Sequence, residues 1–167
     1  MIEQTAKFRS VILAGERPGG SELTQAFNIS ASVMVPVAGK PALARVMQAI
    51  GDSRLADTGI ICGPSAEVVA SNEALKNLFQ DPDHEWLEPA TSPAASALTA
   101  LGKLDYYPAL LTTGDHALLS AEIVDDFCQQ ALSHCGSNAN YDLVIGFVPY
   151  ALVKAAWPES RRTVLRF

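Results

Sequence analysis

The chain has 167 residues, 49% of them hydrophobic and 18% charged, which is enough to bury one sizeable core and too apolar for a long disordered stretch. Its net charge is −6, and its basic residues cluster only at Arg161, Arg162 and Arg166, so the footprint of a polymeric nucleic-acid partner is missing, while a few local donors can still hold a small phosphorylated ligand. The opening MIEQTAKFRS has no apolar signal core and no run nears the roughly 18 apolar residues of a membrane span, which places the chain in the cytoplasm, away from any membrane.

Along the chain, FRSVILAG reads as a β-rich strand ending at Gly15, and Ala14 to Ser32 as a long loop. In KPALARVMQAIG, Leu43, Val46, Met47 and Ile50 recur at helical spacing between Pro41 and Gly51. TGIICG is a buried strand, after which Ser65 caps one helix running through AEVVASNEALKNLF. A short strand over Glu85 to Leu87 precedes a helix with Ser92 as N-cap and Pro93 at its first position, facing the core with Ala94, Ala97, Leu98 and Leu101 and ended by Gly102. YPALLTTGD is the clearest buried strand, and the helix opened by Ser120 turns Ile123, Phe127 and Ala131 inward, with Glu122, Asp125 and Asp126 suiting its N-terminal turns. YDLVIGFVPY is expected to be a further strand, and so is the alternating tail RRTVLRF. Cys62, Cys128 and Cys135 lie in apolar segments without CxxC spacing and read as buried, reduced thiols, the last two on one helix face.

Strands alternating with helices imply βαβ crossovers, hence a three-layer α/β/α sandwich with a mostly parallel, Rossmann-like sheet in one domain over residues 1–167. Ligands of such sheets lie beyond the carboxyl ends of the strands, so the loops after Leu13, Leu87 and Thr113 are where chemistry is expected. Gly15, Gly19 and Gly20 let backbone N–H groups approach an anion, although a glycine-rich surface loop looks the same in sequence. The dinucleotide fingerprint GxGxxG is absent, no acid follows the strand at Cys62-Gly63, and no GxxxxGK[ST] occurs, which sets aside dehydrogenases and P-loop proteins. In TTGDHALL, Asp115 follows an apolar strand, where a carboxylate either forms the turn or holds Mg²⁺ on nucleotide phosphates. His116 has no second His or Cys at metal spacing and reads as a turn residue.

Strand-AG-loop, PVAGKP and strand-TTGD, in this order, resemble the MobA-like NTP transferases of the nucleotide-diphospho-sugar transferase fold, over nearly the whole chain from Val11. The resemblance implies a nucleotidyltransferase that moves a nucleoside monophosphate from an NTP, with CTP or GTP favoured, to a small phosphorylated acceptor with release of pyrophosphate and with Mg²⁺ as cofactor. It implies that the backbone of Leu13, Ala14 and Gly15 lies against base and ribose, that the loop with Gly19 and Gly20 covers the triphosphate, and that Ser92 and Ser96 approach the base. It also implies Asp115 as the metal ligand and Lys40 in the second signature block, able to aim at the phosphates from a helix start.

Two departures bear on activity. Aligning SVMVPVAGKP on the family pattern puts Ser32 where a lysine stands, and Gly15-Glu16-Arg17-Pro18-Gly19-Gly20 replaces the usual GGxGxR. Glu16 brings negative charge towards phosphates unless it turns away or is paired, and Arg17 is the candidate to replace the lost cation. Removing one cation from a transferring phosphoryl group costs on the order of 3–4 kcal/mol, or 10²–10³ in rate. The alternative is therefore a catalytically degenerate homologue that binds nucleotide or a partner protein. The resemblance further implies that the family fold continues, with more sheet and another metal-binding group, beyond Phe167.

Overall fold

The computed structural model describes residues 7–16, 20–135 and 141–159, without the side chain of Cys135. Arg17, Gly19, the RRTVLRF tail with its three arginines, and the burial expected for Cys135 therefore lie outside the described residues.

Strand β1 (Phe8–Leu13) leads into α1 (Glu22–Phe27), a 3₁₀ turn (Ser32–Met34) and the hairpin of β2 (Pro36–Val37) and β3 (Lys40–Pro41). There follow α2 (Ala42–Gly51), β4 (Ala56–Cys62), α3 (Ala66–Ser71), α4 (Glu73–Leu78), β5 (Glu85–Leu87), α5 (Pro93–Leu101), β6 (Ala109–Thr113), α6 (Ala121–Cys135) and α7 (Tyr150–Ala156). The main sheet has the order β5-β4-β1-β6 and every neighbouring pair in it is parallel, the outcome expected when helices cover both faces. One face of β1 and β4 presents Val11, Ile60 and Cys62 to Ala100 of α5, with Leu13, Leu87, Leu101 and Leu104 around them. Alternation sends Ile12 and Ile61, both fully buried, to the other face, and α2 packs against β4 with Leu43, Val46 and Ile50 buried.

Residues 1–130 make one compact unit and 131–167 a second. In the second, α7 follows a stretch, 141–149, without regular structure, in which Leu143, Ile145, Phe147 and Val148 are exposed. The strand expected over YDLVIGFVPY does not form: β-rich composition makes a strand only where a neighbour completes the ladder, and the described residues supply none.

Other expectations are corrected as well. The stretch read as a plain loop contains α1, capped by Ser21, whose hydroxyl accepts from the Thr24 N–H while the Thr24 hydroxyl accepts from the Ser21 N–H. The single helix after Ser65 is broken at Asn72, which ends α3 and caps α4 by accepting from the Leu75 N–H. In α5 the buried residues are Ser96 and Ala100, while Ala94 and Leu98 are exposed. In α6 the buried face is Val124, Asp125, Cys128 and Ala131, and Ile123 is exposed. Among the described residues strand β6 is one of the two edges of the sheet, with only its Leu110 buried.

Candidate functional site

The carboxyl ends of the four strands are laced together by main-chain hydrogen bonds that continue past the strands. The Gly114 N–H donates to the Leu13 carbonyl, the Ala14 N–H to Cys62 and the Gly63 N–H to Leu87, each at 2.8 Å. A glycine is required at 63: its φ is +91°, and a Cβ there would lie 2.7 Å from the Gly15 nitrogen and 2.9 Å from the Ala14 carbonyl carbon. The corners after β1 and β4 thus touch backbone to backbone. Beneath the corner after β6, a Cβ on Gly114 would meet Leu43 and Val33 side chains at 3.1 Å, so this end of the rim rests on an apolar floor.

On this rim the expected site residues fall as follows. Leu13 and Thr113 are paired in the ladder, so Gly15 and Asp115 each stand two residues beyond a matched pair on neighbouring strands. The Ala14 N–H is used by Cys62, so main-chain donors for a ligand have to come from Gly15 onward. Gly15 is exposed and lies 3.5 Å, at its would-be Cβ, from Pro89 of the segment after β5. Gly20 is exposed, with φ +75°. Asp115 is exposed and its carboxylate accepts from the Thr113 hydroxyl at 2.5 Å, which fixes its direction from the end of β6. His116, also exposed, is 3.2 Å from the Thr112 hydroxyl.

The remaining candidates have partners inside the fold. Ser92 caps α5, accepting from the Ala95 N–H, and the buried Ser96 hydroxyl accepts from the Ala90 N–H at 2.9 Å, which holds the turn after β5 against α5. Lys40 leaves the β2–β3 hairpin and donates to Gln48 of α2 at 3.1 Å. Glu16 is paired: its carboxylate accepts from the Ser32 N–H at 2.5 Å, so the position that aligns with the family lysine is joined to the acid at the loop's root.

Three contributors to the rim have no role assigned to them in the sequence reading: Gly63, Thr113 and Glu88. Glu88 accepts from the Ala66 N–H at 2.8 Å and thereby joins the end of β5 to the start of α3. The only signals for them in sequence are a glycine after a strand, a hydroxyl two residues before an acid, and an acid just past a short strand, none of which is specific. Cys62, fully buried beneath this rim, has its thiol pushed up by burial, and it is therefore held as an inert thiol.

Among the described residues no cluster of three or more His, Cys, Asp or Glu is placed to cage a metal ion. Asp115 stands on this rim as an exposed carboxylate held by the Thr113 hydroxyl.

Among curated proteins none matches the chain. A hypothetical transferase from Thermus thermophilus has a similar solved structure, with TM-score 0.60 and 20% identity over 94% of this chain, a likeness of fold. The chain spans 58% of that protein's length. No helix among the described residues is long and apolar enough to cross a membrane. The model of the MobA-like NTP transferase domain matches residues 11–154, and the chain belongs to that family.

Proposed function

We propose that this chain holds an NTP, with CTP or GTP favoured, across the rim between Gly15 and Asp115, as the nucleotide-binding part of a nucleotidyltransferase. The observation that carries the reading is the hydrogen bond from the Gly114 N–H to the Leu13 carbonyl, which keeps the two strand-end corners side by side. Members of the family generally use a divalent metal ion. Asp115, steadied by Thr113, would hold Mg²⁺ here together with the ligand's phosphates, and the ion would supply charge neutralisation for them.

The chain's own part in the reaction is positioning. Donors from Gly15 onward would orient the phosphate chain, and the turn at 88–96, fixed by Ser96, would limit where the base lies. An acceptor phosphate would attack the α-phosphorus, forming a phosphorus–oxygen bond as the bond to the β-phosphate oxygen breaks and pyrophosphate leaves. No covalent enzyme intermediate is required.

A second reading, a homologue that binds nucleotide or a partner protein without turnover, is favoured by Ser32 at the lysine position and by the Lys40 ammonium turned towards Gln48. Pyrophosphate release from CTP or GTP with Mg²⁺ and phosphorylated acceptors separates the two. Turnover that rises in Ser32→Lys supports the enzyme. Saturable NTP binding without pyrophosphate from any acceptor supports the binding homologue, and no thermal shift with any of the four NTPs rejects nucleotide binding in either reading.

A further inference from the structure

We propose that His84 is a pH-sensitive latch on strand β5: with a neutral ring the strand lies closed on β4, and a protonated ring draws the start of β5 outward and loosens the rim at Gly63. The inference goes beyond the nucleotide reading and does not depend on it.

The ring is a buried polar group without a partner. His84 stands just before β5, and its side chain is 4% exposed. Among the described residues neither Nδ1 nor Nε2 has a hydrogen-bond partner, so in the neutral ring one buried donor and one buried acceptor go unsatisfied. The nearest partner is just out of reach, because Nδ1 lies 3.7 Å from the Asp81 carboxylate. That carboxylate is fixed in the turn 81–84, where its other oxygen accepts from the Asp83 N–H at 3.0 Å and the Asp81 carbonyl accepts from the His84 N–H at 3.3 Å. Asp81 is half-exposed and so marks the way from the interior to water.

Charge decides between the two positions of the ring. Burial disfavours the imidazolium and Arg9 of β1 opposes it further, while Asp81 and Asp83 favour it; burial prevails and pushes the ring below the usual 6.5. The other charged groups around this end of the sheet are already paired. Arg9 meets Asp105 at 3.5 Å and lies over the Tyr106 ring, Asp57 of β4 meets Lys7 at 2.7 Å, and Glu85 meets Lys103 at 3.8 Å. Asp81 is therefore the acceptor placed to receive an imidazolium that moves outward by about 1 Å, to the length of a charge-assisted hydrogen bond.

Strand β5 is built to respond. It has three residues and, among the described residues, pairs with β4 alone, from Ile60–Glu85 to Cys62–Leu87. Its far end holds the rim: the Leu87 carbonyl accepts from the Gly63 N–H at 2.8 Å, and the Trp86 Nε1–H donates to the Pro64 carbonyl at 3.2 Å. A shift at His84 reaches these bonds within three residues.

The test follows hydrogen exchange of the Gly63 N–H and the Trp86 Nε1–H in the full chain from pH 7.5 to 5.5, corrected for the intrinsic pH dependence of exchange. A ring that takes up its proton only on release, at the ordinary 6.5, favours release by ~10-fold over that range. Protection at both protons is expected to fall by ~10-fold in wild type and to stay level in His84→Leu and His84→Phe, which fill the site without a titrating group. The Ala14 N–H, bonded to the Cys62 carbonyl on the same rim, is expected to stay level in wild type, a control that needs no variant to fold. Level protection at Gly63 in wild type, an equal fall at Ala14, or the same fall in a folded variant overturns the latch. No nucleotide enters these readouts, so their failure leaves the nucleotide reading standing, and absence of NTP binding leaves the latch standing.

Discussion

Removing the Asp125 carboxylate should destabilise the fold more than any other single change on α6. This residue is 9% exposed and its two carboxylate oxygens accept from the Ser53 hydroxyl at 2.6 Å, the Arg54 N–H and Nε at 2.9 Å, and the Leu55 N–H at 3.2 Å. It thus holds the turn from which β4 starts, where the Leu55 carbonyl in turn accepts from the first residue of β1, Phe8. A hydrogen bond to a charged group contributes ~1.5–3 kcal/mol, and bonds on one carboxylate do not add, so Asp125→Ala is expected to cost roughly 3 kcal/mol. At ~2–4 °C per kcal/mol for a chain of this size, Tm falls by about 6–12 °C.

The pH dependence carries the same signature. The Ser53 hydroxyl and, after it, Arg54 and the two amides hold the Asp125 carboxyl down to about 2, against an ordinary 3.8. A depressed carboxyl contributes stability that is present above its unfolded value and is lost as the pH falls from near 4 towards 2. Allowing for solvent screening at the edge of a helix, that contribution is roughly 1–2 kcal/mol. Urea unfolding of wild type and Asp125→Asn from pH 7 to pH 2 measures it: the two stability curves should converge as the acid limit is approached. Asp125→Asn costing under ~0.5 kcal/mol at pH 7, or keeping the full wild-type slope below pH 4, would show that the Asp125 charge does not hold this turn.

Further outcomes follow from backbone and packing. Gly63→Ala should lose about 2–4 kcal/mol in chemical denaturation, because the new Cβ meets the Gly15 nitrogen at 2.7 Å in a backbone conformation at φ +91°. Ala38 sits at φ +48° before Gly39 in the two-residue β2–β3 turn, so Ala38→Asn, which supplies the Asn-Gly pair such turns favour, should gain about 1 kcal/mol. Ser10 is fully buried and its hydroxyl has no hydrogen-bond partner among the described residues, so Ser10→Ala should be neutral or up to ~1 kcal/mol more stable; a loss above 1 kcal/mol would show that the hydroxyl is satisfied in solution.

The strands of the main sheet and the caps at Ser65 and Ser92 were legible in the sequence because they rest on local signals: short apolar runs, a hydroxyl before a helix, proline at its first turn. What tertiary contacts decide was not. Helix α6 turns Val124 inward and Ile123 outward because the turn at 53–55 draws Asp125 into the interior, and periodicity cannot anticipate a buried acid with four donors waiting. Helix α5 is rotated for a related reason: the Ala90 N–H donates to the Ser96 hydroxyl, and Ala100 reaches the sheet where Leu98 was expected. The break at Asn72 hides inside an unbroken apolar rhythm, since asparagine caps α4 only through its contact with Leu75. Gly59 carries a different lesson. The register between β1 and β4 slips there, and a Cβ would fall 2.1 Å from the Ser10 carbonyl oxygen, a constraint that exists only once the strands are paired.

At the candidate site, order and spacing pointed to the corner at Gly15 and the acid at 115, and the adjacency of Leu13 and Thr113 in the ladder puts both corners on one rim. The pairing of Glu16 with Ser32 was open in the sequence, because a contact across sixteen positions depends on how the loop closes. The most direct test of a ligand across that rim is residue-resolved amide hydrogen exchange with and without Mg²⁺-CTP or Mg²⁺-GTP. Exchange at Gly15 and Asp115 should slow together, and Asp115→Asn should lose that effect. Protection confined to other segments, or none at saturating nucleotide, would contradict it.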